Sequence, residues 1–235
     1  AAYAAATSST TSYASLLDAT TGGDGAQPAK TTTIRYRDAL MNMWVLDPVP
    51  GWLLANNQLK RLQQAPKHHL VDPALAARLL GLSANALVNS QGNQMLGPLF
   101  ESLATLGVRV AAQASGASTF HLRTNSGAHE IDLIVQGPDG EVLAIEVKLS
   151  PTVTDRDVRH LIWLRDQLPN RVVDTIVVTT GKTAYRRKDG VGVVPLALLA
   201  SSVKPWKTHS KDGQIGLWQN PCLNRCATNK RGSVA

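Results

Sequence analysis

The stretch His129–Ser150, HEIDLIVQGPDGEVLAIEVKLS, constrains the fold of this chain most, because it predicts a β-hairpin with charge on one face. Two apolar runs flank a Gly-Pro-Asp-Gly turn. Glu130 and Asp132 are two residues apart in the first run, and Glu146 and Lys148 in the second. Side chains two apart on a strand share a face. Each charged pair therefore occupies one face, and the intervening aliphatic residues take the other.

The turn decides whether the two charged pairs meet. In a two-residue loop they would lie on opposite faces of the hairpin. A three-residue loop suits the residues better, since Pro138 fits the first central position of a type I turn and Gly140 fits the left-handed position that follows. This loop places Asp132 opposite Glu146, with Lys148 on the same patch.

Carboxylates that face each other across two strands repel, and a hard divalent cation relieves the repulsion. Mg²⁺ takes oxygen ligands and keeps several waters, which can supply a nucleophile beside a scissile phosphate. Asp132 and Glu146 are then metal ligands, and Lys148 acts on the attacking water. The alternative is a cross-strand ion pair between Glu130 and Lys148 on a solvated face, which would contribute little. Both interpretations remain open from the residues alone.

Asp132 is followed, after thirteen intervening residues, by Glu146-Val147-Lys148. This spacing resembles the D…E-x-K signature of the PD-(D/E)xK nuclease-like superfamily. Longer segments, among them LGPLFESL (96–103), AIEVKLS and TTGKTAYRRKDGVGVVPLALL (179–199), resemble the C-terminal domain of unknown function found on bacterial and archaeal AAA-type ATPases. The resemblance covers roughly residues 10–200. It implies a restriction-endonuclease-like fold and a Mg²⁺ site, although many members of that family have no established activity.

Hydrophobic periodicity predicts an α/β (α+β) chain. The order helix, three strands, helix, strand across residues 96–180 fits the αβββαβ core of restriction-endonuclease-like folds. The second of these helices opens with a capping box, Thr154 with Asp157. The other predicted elements are a helix at 96–112, a strand at 174–180 and a strand or helix at 191–200.

The N-terminal part predicts a small winged helix-turn-helix over residues 1–62. Helices at 12–19 and 30–44 precede an extended LDPVPGWLL segment, in the order expected before the nuclease-like domain of the resembling ATPases. In a major groove, Arg35 and Arg37 would reach DNA phosphates or bases. The alternative is a solvated helix face in a packing module.

Residues 63–200 form the predicted nuclease-like domain. Its first core helix is apolar nearly all round and carries Glu101, and a buried carboxylate needs a partner. The resemblance places Glu101 beside the metal, as a fourth catalytic residue; the alternative is an ion pair with an arginine such as Arg123. On a later helix, His160 with its neighbouring arginines would contact a nucleic-acid phosphate, unless this face is simply solvated.

Charge and motif content limit the partners. The net charge is +7, but residues 201–235 carry six Lys/Arg against one Asp, a net of +5 that leaves +2 for residues 1–200. This predicts a basic, disordered tail and weak DNA binding by the body. TTGKT (179–183) mimics a phosphate loop, but Ile176 stands where its first glycine belongs, which excludes ATP within this chain.

The chain has no signal peptide and no apolar run near the ~18 residues of a membrane helix, which predicts a cytoplasmic protein without a membrane partner. No ATPase motif is present, so the phosphate-loop portion of an AAA-type ATPase partner, if there is one, would precede Ala1; the missing initiator Met is expected for a fragment or a split gene. The predicted function is the C-terminal part of an ATPase-associated protein whose nuclease-like domain cleaves DNA phosphodiesters with Mg²⁺. The alternatives are an inactive nuclease-like fold that binds DNA or protein as a regulator, and an interaction module with an ion-pair network.

Overall fold

The computed structural model describes residues 1–20, 29–53, 65–89, 92–124 and 127–199. The chain divides into two compact units, residues 1–106 and the residues from Gly107 on. The predicted basic tail, residues 201–235, lies outside the described residues, so its predicted disorder stays a prediction.

The first unit is helical. In chain order, its helices are α1 (Ala2–Ala5), α2 (Tyr13–Thr20), α3 (Lys30–Asn42), α4 (Pro73–Leu79), α5 (Ala84–Val88) and the long α6 (Asn93–Ala114), which continues past the division between the units.

Local capping explains the short helices α4 and α5. The Asp72 side chain accepts a hydrogen bond from the Ala74 N–H at 2.7 Å, and Pro73 occupies the first turn of α4, where its missing N–H costs nothing. The chain leaves α4 through Gly81 at φ +70°. The Ser83 side chain caps α5 in the same way at 3.2 Å. Helix α5 has only five residues, too few for apolar periodicity to reveal it in the sequence.

Main-chain hydrogen bonds join segments on both sides of the predicted domain boundary at residue 62. The extended segment after α3 forms antiparallel bridges to residues 67–70, through Val49 with Lys67 and Leu46 with Leu70. The first unit therefore runs through residue 106 and includes residues assigned to the nuclease-like domain. Helices α2 and α3 lie where predicted, but their connection at 21–28 lies outside the described residues. The winged-helix assignment stays a prediction.

The apolar side chains of α3 and the residue after it differ in burial, since Leu40 packs against the buried core of the first unit. Tyr36 is 64% exposed, and Trp44, just beyond the helix, is 75% exposed. By contrast, α1, which falls in a stretch of small residues, packs against the interior through Ala4, which is fully buried. Apolar periodicity alone therefore does not show which of these side chains are buried.

The second unit is an α+β fold around one six-stranded mixed sheet, as predicted. Its remaining elements are β1 (Ser118–Arg123), β2 (Glu130–Gln136), β3 (Val142–Lys148), α7 (Asp155–Gln167), β4 (Val172–Thr179), β5 (Tyr185–Arg186), β6 (Gly192–Pro195) and α8 (Leu196–Leu199). The strand order is β1-β2-β3-β4-β6-β5. The order α6-β1-β2-β3-α7-β4 confirms the predicted αβββαβ succession, and its assignment to the restriction-endonuclease-like family stays a prediction.

Strand pairing brings the charged hairpin to the middle of this sheet. Strands β1, β2 and β3 are antiparallel, whereas β3 with β4 and β4 with β6 are parallel. Six of the seven residues of β3 are buried, which is typical of strands covered on both faces. Helix α7 packs through Val158, Leu161 and Leu164, all buried, and the predicted capping box of Thr154 and Asp157 opens it.

Helix α6 is the one described helix long and apolar enough, by length and composition, to cross a membrane. Of its apolar window, 39% is buried, and its first half carries the ion-paired Glu101. Core helices of globular proteins meet the same criterion, so this is weak support for a membrane location.

Candidate functional site

The hairpin has the register that the turn residues predicted. Leu133 pairs with Ile145, and Gln136 with Val142. The Gly137 N–H donates to the Glu141 carbonyl at 3.0 Å, which closes a three-residue loop. Gly140 has φ +86°, a conformation that costs other residues about 1–2 kcal/mol. The prediction of a three-residue loop with a left-handed glycine is confirmed.

The paired ladder of β2 and β3 begins at Leu133 and Ile145, the residues next to Asp132 and Glu146. At this end of the hairpin the Val147 N–H donates to a side chain, Asp132 Oδ2, at 2.9 Å. Val147 lies between the two charged residues of β3, so this bond holds the Asp132 carboxylate beside Glu146 and Lys148. The three predicted residues therefore meet at one end of the hairpin.

Glu146 and Lys148 form an ion pair along β3. Lys148 Nζ donates to Glu146 Oε1 at 2.7 Å, with the Glu146 side chain 9% exposed and the Lys148 side chain 34% exposed. Burial lowers the pKa of Lys148, but attraction to Glu146, their hydrogen bond and the nearby Asp132 outweigh burial and raise that pKa. Lys148 is therefore a charged ammonium at neutral pH. Its bond is to Glu146, on its own strand, and the predicted alternative was a bond to Glu130.

A third carboxylate, Asp157 at the start of α7, belongs to the same electrostatic neighbourhood. Its Oδ2 accepts from the Thr154 N–H at 2.8 Å and from the Thr154 hydroxyl at 2.7 Å. Burial raises the pKa of Asp157, but these two hydrogen bonds and the charges of Lys148 and Arg187 lower it overall. Asp157 is thus ionised and committed to capping the helix.

The donor set fits a hard cation in part. Asp132 and Glu146 offer the carboxylate oxygens that Mg²⁺ prefers, and this ion usually keeps several waters. Within the ranges that the structure describes, no group of three or more His, Cys, Asp or Glu side chains is arranged to hold a metal. An ion here would therefore be held by two carboxylates and by water, after Lys148 had released Glu146.

Glu101 lies in the first unit and has a partner there. Lys67 Nζ donates to Glu101 Oε1 at 2.7 Å, and the lysine side chain is only 2% exposed. The structure thus supplies an ion-pair partner other than the predicted Arg123. Sequence reasoning missed Lys67, because it lies thirty-four residues from Glu101 and no local pattern marks it as the partner. The catalytic assistance assigned to Glu101 stays a prediction.

The two arginines predicted to contact DNA differ in their surroundings. Arg35 is exposed. Arg37 donates twice to Asp38 Oδ1, at 2.9 and 2.6 Å, and its guanidinium lies 5.0 Å from the centre of the Tyr13 ring. The hydrogen bond to Asp38 is the main cause of the raised pKa of Arg37. A nucleic-acid role for these residues stays a prediction.

His160, the third residue predicted to contact nucleic acid, lies on α7 and belongs to the second unit's site. Burial lowers the pKa of His160, and the positive charges of Arg159 and Lys148 lower it further, against an opposing effect of Glu130. His160 is therefore neutral at pH 7. Its Nδ1 lies 3.2 Å from Nδ1 of His129, which the sequence analysis did not single out.

Two family models match this chain. Residues 96–199 match a domain of unknown function, DUF4143. Residues 1–86 match a second domain of unknown function, DUF8612. The first match agrees with the predicted similarity to a domain of unknown function, and it places the charged hairpin inside that domain. The two matches leave residues 87–95 between them uncovered. The predicted resemblance, by contrast, was to one family over roughly residues 10–200.

Comparison with whole proteins adds little. No curated protein matches the chain. Among solved structures, the chain is similar to one in a refined half-complex from the tetradecameric assembly of Thermococcus gammatolerans McrB AAA+ hexamers with bound McrC, at 10% identity and a TM-score of 0.33. The alignment covers 78% of this chain and 66% of that chain, so this chain spans about two thirds of its length. Similarity at this level is too low to establish a common fold.

Proposed function

We propose that the second unit hydrolyses DNA phosphodiester bonds with the help of Mg²⁺ held by Asp132 and Glu146. One observation supports the proposal: the Val147 N–H holds the Asp132 carboxylate at the end of the hairpin ladder, beside the bonded pair of Glu146 and Lys148. Opposed carboxylates at the end of a strand pair are unfavourable by themselves, and a cation makes them favourable.

Asp132 and Lys148 have different roles in the proposed hydrolysis. Bound Mg²⁺ would polarise the phosphate and lower the pKa of a coordinated water. Asp132 is fixed for its part by the Val147 N–H. Lys148, released from Glu146, would donate hydrogen bonds to a phosphate oxygen or to the attacking water. Its raised pKa argues that Lys148 acts as a charged donor and does not accept a proton at neutral pH.

The choice of DNA, and of an AAA-type ATPase as partner, rests on the sequence resemblance. Residues 1–200 carry a net charge of only +2. Because each neutralised phosphate requires a lysine or arginine, we infer weak DNA binding by the body alone. A motor domain that brings DNA to the site would compensate for that weakness.

A second candidate is a DNA- or protein-binding regulator without chemistry. It is favoured by the Glu146–Lys148 ion pair, which already neutralises the more buried carboxylate. It is also favoured by the lack of a three-ligand group among the described residues. The two candidates share the fold and differ in whether a cation displaces Lys148.

The deciding experiment incubates the purified protein with plasmid and oligonucleotide DNA in Mg²⁺, Mn²⁺ or EDTA. We expect cleavage with either metal, none in EDTA, and none for Glu146→Gln, while Asp139→Asn, in the exposed turn, cleaves like the wild type. Binding without cleavage would support the regulator. Neither binding nor cleavage would leave only the ion-pair network.

A further inference from the structure

Four side chains of the second unit form a continuous chain of contacts beside the proposed site. The rings of His129 and Trp163 are stacked, with centroids 3.8 Å apart and planes 7° apart. His129 Nδ1 lies 3.2 Å from His160 Nδ1. The Arg159 Nε–H in turn donates to His160 Nε2 at 2.9 Å. The chain thus runs from a half-buried aromatic ring to an exposed guanidinium.

The proton positions on the four contacting side chains have one consistent arrangement. The guanidinium only donates, so His160 Nε2 must accept and carries no proton. A neutral His160 then has its proton on Nδ1 and donates it to Nδ1 of His129. His129 is left with its proton on Nε2. Every polar contact in the chain is satisfied only when His160 is neutral.

This arrangement fixes Arg159 by its Nε while leaving its two terminal amino groups available. Within the part of the chain that the structure describes, these groups make no hydrogen bond or ion pair. Neighbouring residues on a helix do not face each other, so Arg159 has to bend towards His160 to make the bond. Holding an exposed, flexible side chain in this way costs conformational entropy, which a binding role would explain.

The location of the chain indicates what it would bind. His129, whose Nδ1 lies 3.2 Å from His160 Nδ1, directly precedes Glu130 at the start of β2, the strand that carries Asp132, so the exposed guanidinium flanks the proposed cleavage site. A guanidinium with its terminal pair of amino groups free matches two oxygens of a phosphate. A strand of nucleic acid lying across Asp132 and Glu146 would present further phosphates on either side of the scissile one.

We propose that Arg159 binds a backbone phosphate of the nucleic acid next to the scissile position, and that His160, His129 and Trp163 are positioning residues that hold it there. The proposal rests on the proposed function, because the nucleic acid lies at the same site. It assigns substrate binding to Arg159 and a supporting role to a histidine pair that takes no part in the cleavage chemistry.

Arg156 provides a matched control. It lies three residues before Arg159 on the same helix, is exposed and carries the same charge, but no described side chain or backbone group fixes it. Removing either arginine changes the net charge equally. A difference between the two variants therefore reports position and not overall electrostatics.

The experiment measures binding of a fluorescently labelled oligonucleotide by anisotropy, in EDTA and across a series of salt concentrations. EDTA prevents metal-dependent cleavage, so the result does not depend on whether the protein cleaves DNA. Arg159→Ala should weaken binding about fivefold to tenfold, as expected for the loss of one exposed charged contact, and should reduce the slope of log K against log salt by about 0.9. Arg156→Ala should change affinity less than about twofold, with an unchanged slope.

The positioning role has its own test. Gln places an acceptor near the position of His160 Nε2, whereas Phe keeps only the ring. We expect His160→Gln to bind nearly as well as the wild type and His160→Phe to bind as weakly as Arg159→Ala, with thermal melting showing that both are folded. Equal effects of the two arginine variants, wild-type affinity of His160→Phe, or no binding by the wild type would each overturn the proposal. Binding with these effects but no cleavage in Mg²⁺ would instead refute only the proposed chemistry.

Discussion

The metal proposal can be tested on stability, without any substrate, through the change Asp132→Asn. Asparagine keeps an oxygen that can accept from the Val147 N–H, so it preserves the 2.9 Å bond better than alanine does. The change weakens a charge-assisted hydrogen bond but also relieves repulsion with Glu146, and these effects are similar in size and opposite in sign. We therefore expect the metal-free variant to unfold within about 1 kcal/mol of the wild type.

Mg²⁺ should separate the two proteins clearly. A ligand that binds only the folded state stabilises it by about 2.7 kcal/mol at a hundredfold excess over the dissociation constant. For a chain of this size, that corresponds to a rise in melting temperature of about 5–10 °C. Removing one of two carboxylate ligands should abolish most of the gain for Asp132→Asn.

Differential scanning calorimetry with Mg²⁺ and with EDTA measures both effects. Glu130→Gln is the matched control, since it removes a carboxylate from the same strand face, two residues away, and should keep the full Mg²⁺ response. If the wild type and Asp132→Asn respond equally to Mg²⁺, the metal site is refuted and only the fold remains. A response lost equally in Glu130→Gln would show that the cation interacts with the general charge of the patch.

Three further outcomes follow from the ion pairs and the cap. Lys148→Met should destabilise the metal-free protein by about 1–3 kcal/mol in chemical denaturation. This is less than for a fully buried pair, because the lysine side chain is 34% exposed. The variant should still bind Mg²⁺ but should not cleave DNA. Lys67→Met removes the lysine partner of the Glu101 carboxylate and should cost about 3–5 kcal/mol, most of it recovered in the double variant with Glu101→Leu; no recovery would refute the pairing. Asp157→Ala should cost about 1 kcal/mol. The pKa of Asp157 lies below its ordinary value of 3.8, so this stabilisation is fully present above that pH. It is lost as the pH falls through the folded-state pKa, and melts over an acidic pH series should show the two proteins converging at the acid end.

Turn and capping chemistry is local, and the sequence determined those parts of the structure. Pro138 and Gly140 selected a three-residue loop, and that choice alone set which residues of β2 and β3 are opposite each other. A register error of one residue would have moved Asp132 to the other face. The Thr154–Asp157 box likewise fixed the start of α7, since both partners lie within one helical turn.

Contacts between distant segments were decided only by the tertiary structure. Glu101 could be identified as a carboxylate in need of a partner, but nothing local distinguished Lys67, thirty-four residues away, from other cations. The His129–His160 pair is similar, because it depends on how α7 packs across the start of β2. Neither partner leaves a periodic signal, and loop closure over such distances depends on the whole fold.

The burial of side chains was determined partly by the sequence and partly by the tertiary structure. Alternating and helical apolar patterns identified the strands and helices of the second unit, because its sheet and α7 bury continuous faces. The same patterns do not separate buried from exposed residues in the first unit, where Tyr36 and Trp44 are exposed and Ala4 is buried. Side-chain hydrophobicity states what a residue gains from burial, whereas the room available inside a small unit decides which residues are buried, and that room is set only when all of its segments have packed together.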